Sequence, residues 1–140
     1  MSSDLTHKEA TDEMQAMVWG VWEATTFTMF WESVRDERDT TEVEWAATFI
    51  RHGASQQVTF GPVGSRLFER QGTIMMNCFA PIGKGLSESY AMGKILADAF
   101  EGNSSPGGVW FRNVRINEIG REGQFYQTNV LADFTYNQIK

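Results

Sequence analysis

The sequence predicts an α+β fold: a single, mostly antiparallel β-sheet with two helices packed on one face. Three observations predict it. Residues 72–100 (GTIMMNCFAPIGKGLSESYAMGKILADAF) read as a strand, a tight Pro/Gly turn and an amphipathic helix. A second helical stripe opens the chain. Two β-rich runs close it, joined by a glycine-bounded turn. The 140 residues suffice for one domain with a real core, spanning 1–140, and not comfortably for two.

Residues 1–5 are expected to fray. Thr6 and Glu9 fit a capping box, and Ala10, Met14, Met17, Val18, Val21 and Trp22 follow at helical spacing, so a helix is predicted over 6–24. A Met and Trp stripe of this kind packs a core. Residues 25–31 (TTFTMFW) are β-branched and aromatic and predict a first strand. Residues 33–42 are almost wholly polar and predict a solvated loop. Val43, Trp45, Ala47 and Phe49 then alternate with Glu44, Ala46, Thr48 and Ile50 in a strand ending near His52. Residues 53–65, with Gly53, Gly61, Pro62 and Gly64, predict a long loop or loose ribbon.

The central strand starts as early as Leu67. Ile74, Met76 and Cys78 share one face, opposite Thr73, Met75, Asn77 and Phe79. Residues 80–85 break the strand, because Pro81 cannot donate to a ladder. Ser87 or the residues before it cap a helix whose apolar face holds Leu86, Tyr90, Gly93, Ala97 and Phe100. Residues 102–108 (GNSSPGG) are a loop. Residues 109–119 and 124–136 predict two strands joined through Gly120-Arg121-Glu122-Gly123.

Composition excludes several classes. Hydrophobic residues make up 41% and aromatics 13%, which argues against disorder. No apolar run approaches the roughly 18 residues of a membrane span. The polar, acidic N-terminus lacks the pattern of a signal peptide. The single cysteine, Cys78, predicts a buried reduced thiol in a protein folded in cytoplasm. Residues 1–44 carry eleven acids against three bases, a charge of −8, whereas residues 45–140 carry seven acids against nine bases, or +2. An acidic front speaks against general phosphate-backbone binding.

Catalytic signatures are lacking. Two histidines, His7 and His52, and one cysteine make no zinc set of the usual spacing. G-x-S-x-G is absent. Residues 83–87 (GKGLS) lack phosphate-loop spacing and read as a strand-to-helix turn. The acids Glu32, Asp36, Glu37, Asp39, Glu42 and Glu44 do not fit the calcium-loop pattern, and Arg35 and Arg38 interrupt them. The expectation is no enzyme, no cofactor and no metal. What remains calls for surface. Five tryptophans and ten phenylalanines exceed what one small two-layer core readily absorbs, so some are expected at a subunit interface. The alternative is a Trp-rich core with no partner.

Three stretches carry a family resemblance: W-A-A-T-F-I-R-H-G-A-S-Q-Q-V-T-F-G (45–61), R-L-F-E-R-Q-G-T-I-M-M-N-C-F-A-P-I-G-K-G (66–85) and the ending G-x-x-G-Q-F-Y-Q-T-N-V-L-A-D-F-T-Y (120–136). Over most of 6–136 the chain resembles the tail-terminator or tail-completion proteins of long-tailed bacteriophages and gene-transfer particles. The resemblance implies a structural virion protein that forms a homo-oligomeric ring, a hexamer, at the head-proximal end of the tail tube. Such a ring stops tube polymerisation and offers the filled head its docking surface. It implies as partners the tail-tube protein and a head-completion or connector protein, with DNA passing through unbound and no membrane involved. It implies assembly in the host cytoplasm and residence in the virion.

A ring is heterologous, one patch of each subunit meeting a different patch of the next. The sheet edge and the loop at 53–65 are the candidates for one such patch, represented by Gly53, Gln56, Gln57, Phe60 and Arg66. On the same reading Asp36, Glu37 and Asp39 face the lumen, where they repel sliding phosphates. The competing readings are another neck or tail ring component (a head–tail joining or stopper protein, or a tube subunit) and a binding module or small enzyme. A deep pocket lined by convergent polar groups marks the last.

Overall fold

The computed structural model describes residues 5–23, 25, 28–31, 44–82, 86–123 and 125–140. They form α1 (His7–Trp22), β1 (Thr28–Trp31), β2 (Trp45–Gln57), β3 (Leu67–Pro81), α2 (Leu86–Phe100), β4 (Trp110–Glu122) and β5 (Phe125–Ile139). One five-stranded sheet runs in the order β1-β2-β3-β5-β4. Every pairing is antiparallel except β1 with β2. The fold is α+β with both helices packed against the sheet, as the element order predicts.

The α1 cap is the predicted box. Glu9 N–H donates to Thr6 Oγ1 and Thr6 N–H to Glu9 Oε1, each at 3.2 Å. The helix then buries Ala10, Met14, Val18 and Trp22 one turn apart, while Trp19 stays 47% exposed. Thr25 closes it: its N–H and its hydroxyl both donate to the Trp22 carbonyl, at 2.9 and 2.7 Å. Thr25 therefore serves the helix end, and the first strand starts at Thr28 instead.

Burial alternates along the two central strands. Ile74, Met76, Cys78 and Ala80 of β3 lie beside Thr128, Val130, Ala132 and Phe134 of β5, in a register that pairs Ile74 with Ala132 and Met76 with Val130. Met92, Leu96 and Phe100 of α2 close this core. The helix comes in close at Gly93, where an added Cβ would lie 3.2 Å from Thr128 Cγ2. One turn earlier, the Ser89 and Thr128 hydroxyls share a buried hydrogen bond of 2.5 Å. α2 begins at Leu86, so Ser87 sits inside the first turn and not at the cap.

Two further expectations change. β2 does not stop at His52. A bulge between His52 and Ser55 lets the ladder resume, with Ser55, Gln56 and Gln57 opposite Arg70, Glu69 and Phe68. The predicted loop at 53–65 thus shrinks to 58–66. At the C-terminal hairpin Glu122 pairs with Phe125, so the connection is shorter than residues 120–123. Gly120 (φ 91°) lies within β4 at a second bulge, and Gly123 (φ 61°) takes the turn. The loop predicted at 33–42 falls outside the described residues.

Candidate functional site

The β2–β3 hairpin is the part of the fold that its own core does not explain. β5 flanks it only as far as Ile139, which pairs with Leu67. Beyond that point the two chain segments rely on each other. Val58 N–H donates to the Leu67 carbonyl at 2.7 Å, Leu67 N–H to Thr59 Oγ1 at 2.9 Å, and Ser65 N–H to the Pro62 carbonyl at 3.0 Å. This bonding leaves Phe60 93%, Val63 83% and Val58 48% exposed. Three large apolar side chains are thus exposed within residues 58–63, at one hairpin end.

Of the residues selected from sequence, Gly53, Gln56, Gln57 and Phe60 come together on this hairpin, all exposed. Gly53 lies in the stretch where the β2 ladder shifts register, Gln56 pairs with Glu69, and Gln57 Nε2 donates to the Thr59 carbonyl at 2.9 Å. Arg66 stands at the root. Its carbonyl accepts from Lys140 N–H at 2.8 Å, its Nε donates to the Lys140 carbonyl at 3.3 Å, and its guanidinium lies 6.0 Å over the Phe68 ring. Asp36, Glu37 and Asp39 lie outside the described residues. Val58 and Val63 were missed, although V-x-F-x-x-V in a polar, glycine-rich stretch is a legible sign of an apolar tip.

Trp22 is wholly buried and Trp19 is half exposed. Trp45 stacks on Phe79 at 4.1 Å, and Phe125 meets both rings edge-on, on the sheet face away from the helices. The same face carries a polar row. Asp133 accepts from Thr73 and Asn113 at 3.1 Å each and lies 3.7 Å from Arg115. Burial alone would raise its pKa. The two hydrogen bonds, with Arg115 and Arg112 beside them, outweigh burial and hold the carboxyl below its ordinary range.

Sequence spacing also gave no hint of a cleft of about 500 Å³ between the start of α1 and the hairpin's root. There His7 and His52 stack at 3.7 Å. Burial, then His7 and Arg70, push the His52 pKa down to about 4. Cys78 is fully enclosed and its thiol is pushed up to about 12 by burial, which makes it inert. Among the described residues no group of three His, Cys, Asp or Glu side chains could hold a metal ion, and no helix is long and apolar enough to cross a membrane.

No family model matches the chain, and no curated protein matches it in sequence. In fold, 23 chains of solved structures match. One, whose name states no function, superposes with a TM-score of 0.65 at 15% identity, over 89% of this chain and 94% of its own. At that identity the likeness shows the α+β fold alone.

Proposed function

We propose that the chain is a structural subunit of a phage tail: a tail terminator that closes into a homo-oligomeric ring, a hexamer, on the head-proximal end of the tube. In this role it ends tube polymerisation, receives the head-completion protein and lets DNA pass unbound. It performs no catalysis and needs no cofactor. The observation that carries the reading is the hairpin tip. Phe60 and Val63 bury little against the described residues of their own chain, whereas burial against a second subunit would contribute about 1.5–3 kcal/mol for each. A tip that meets a different patch on the next copy is the heterologous contact that a ring requires. The resemblance of residues 45–61, 66–85 and 120–136 to tail terminators supplies the rest.

Mass by light scattering over a concentration series, with negative-stain images of the same samples, tests the reading. Closed rings, or a monomer that caps purified tail tubes at one end, support it. Long filaments would replace it with a tube subunit. A monomer indifferent to tubes would remove the structural role.

A further inference from the structure

The cleft at the root of the hairpin has a chemistry that ring assembly does not call for. Its walls come from four directions: His7 on the first turn of α1, His52 on β2, Arg70 on β3, and Tyr136 with Gln138 on β5, with Lys140 at the rim. The chain as a whole carries a net charge of −6, yet no Asp or Glu is among the described residues lining this cleft. Its volume of about 500 Å³ falls in the range of small-molecule sites, roughly 300–1,000 Å³.

Arg70 is the centre of the arrangement. Its Nε and Nη2 both donate to Gln138 Oε1, at 3.3 and 3.1 Å, and its Nη1 donates to Ser55 Oγ. Phe68 lies 5.1 Å beneath it. These partners fix the fork but are neutral, so the positive charge is oriented and uncompensated. Among the described residues no Asp or Glu side chain lies within ion-pair distance of Arg70 or Lys140; Lys8 nearby is engaged by Asp12 at 2.6 Å. A guanidinium held in place by neutral acceptors is preorganised for an oxyanion, which it meets with paired, charge-assisted hydrogen bonds.

We infer that this cleft is a binding site for a phosphate-class oxyanion, either phosphate itself or a phosphorylated small molecule, held by the Arg70 guanidinium and the Lys140 ammonium. The inference stands apart from the ring reading and holds for the isolated subunit. It also equips the cleft with a reporter. His52 faces His7 from α1, Arg70 from β3, and Phe134 and Tyr136 from β5. His7 and Arg70 both oppose its protonation, and an anion seated on Arg70 relieves that opposition.

The test is a titration of the full chain with inorganic phosphate at fixed ionic strength, balanced with chloride and followed by NMR at His52, Gly53 and Arg70. Saturable shifts are expected, together with a rise of the His52 pKa in saturating phosphate. Arg70→Gln is expected to weaken binding about tenfold, the loss of roughly 1.4 kcal/mol. Lys140→Ala is expected to weaken it by a smaller factor, and because Lys140 is exposed this variant tests the site even if Arg70→Gln fails to fold. A phosphorylated nucleoside that binds more tightly than phosphate would identify a larger ligand of the same class. Shifts that grow linearly, that chloride reproduces, or that survive in both variants would overturn the site.

Discussion

The Phe134 ring lies across Gly72, its cross-strand neighbour, so closely that a methyl on Gly72 would sit 2.5 Å from Phe134 Cζ. The same methyl would strike the Arg51 carbonyl of β2. The centre of the sheet is therefore closed over a glycine, and Phe134 fills the space that a side chain there would take. Gly72→Ala is expected to destabilise by about 1–3 kcal/mol through overpacking. A urea midpoint lowered at unchanged slope checks it. Gly20 is the contrasting case. It lies in α1 with nothing within 4 Å of an added Cβ, so Gly20→Ala is expected to stabilise by up to about 1 kcal/mol.

Ser89 and Thr128 join α2 to β5 through one buried hydrogen bond of 2.5 Å. Removing one hydroxyl strands the other. Ser89→Ala is expected to cost about 1–3 kcal/mol. Adding Thr128→Val should recover part of that, because the orphaned group goes too. A double-mutant cycle on denaturation midpoints measures the coupling, and strictly additive losses would contradict the pairing.

Acid should weaken the fold in two stages. The folded His52 value of about 4 lies below its ordinary 6.5, so the unfolded chain takes up the proton first. Stability from this group is whole above pH 6.5, falls as pH drops toward 4, and is level below that. Asp133 follows at lower pH: its depressed value means that its contribution is lost only as its carboxylate is protonated. His52→Gln is expected to flatten the first stage and leave the second, as read from unfolding midpoints between pH 7.5 and 3.

Much of this fold was legible because burial leaves a period in the sequence. β3 and β5 bury one face each, so Ile74, Met76 and Cys78 and then Val130, Ala132 and Phe134 stand at every second residue. The Thr6–Glu9 box marked the start of α1 for a local reason, four residues bonding among themselves. What was missed had no local signal. Ser55, Gln56 and Gln57 form a ribbon with neither face buried, so no apolar alternation betrays the strand. Gly120 looked like a turn residue because a bulge and a turn ask the same of glycine, a positive φ. The His7–His52 stack joins residues that only the packing of α1 against the sheet brings together. Within the candidate interface, Phe60 was legible as an aromatic in a polar, glycine-rich stretch. Arg66 belongs to the hairpin root, where Lys140 engages it.

If the hairpin tip is a contact between subunits, Phe60→Asp with Val63→Asp breaks it. Both side chains are more than four-fifths exposed, so stability should move by less than about 0.5 kcal/mol. The measurement is end-capping of purified tail tubes, counted in negative-stain images beside light-scattering mass for the wild type and the double variant. Rings or capped ends are expected for the wild type, and a folded monomer that leaves tubes uncapped for the variant. A variant that assembles and caps as the wild type does would contradict it.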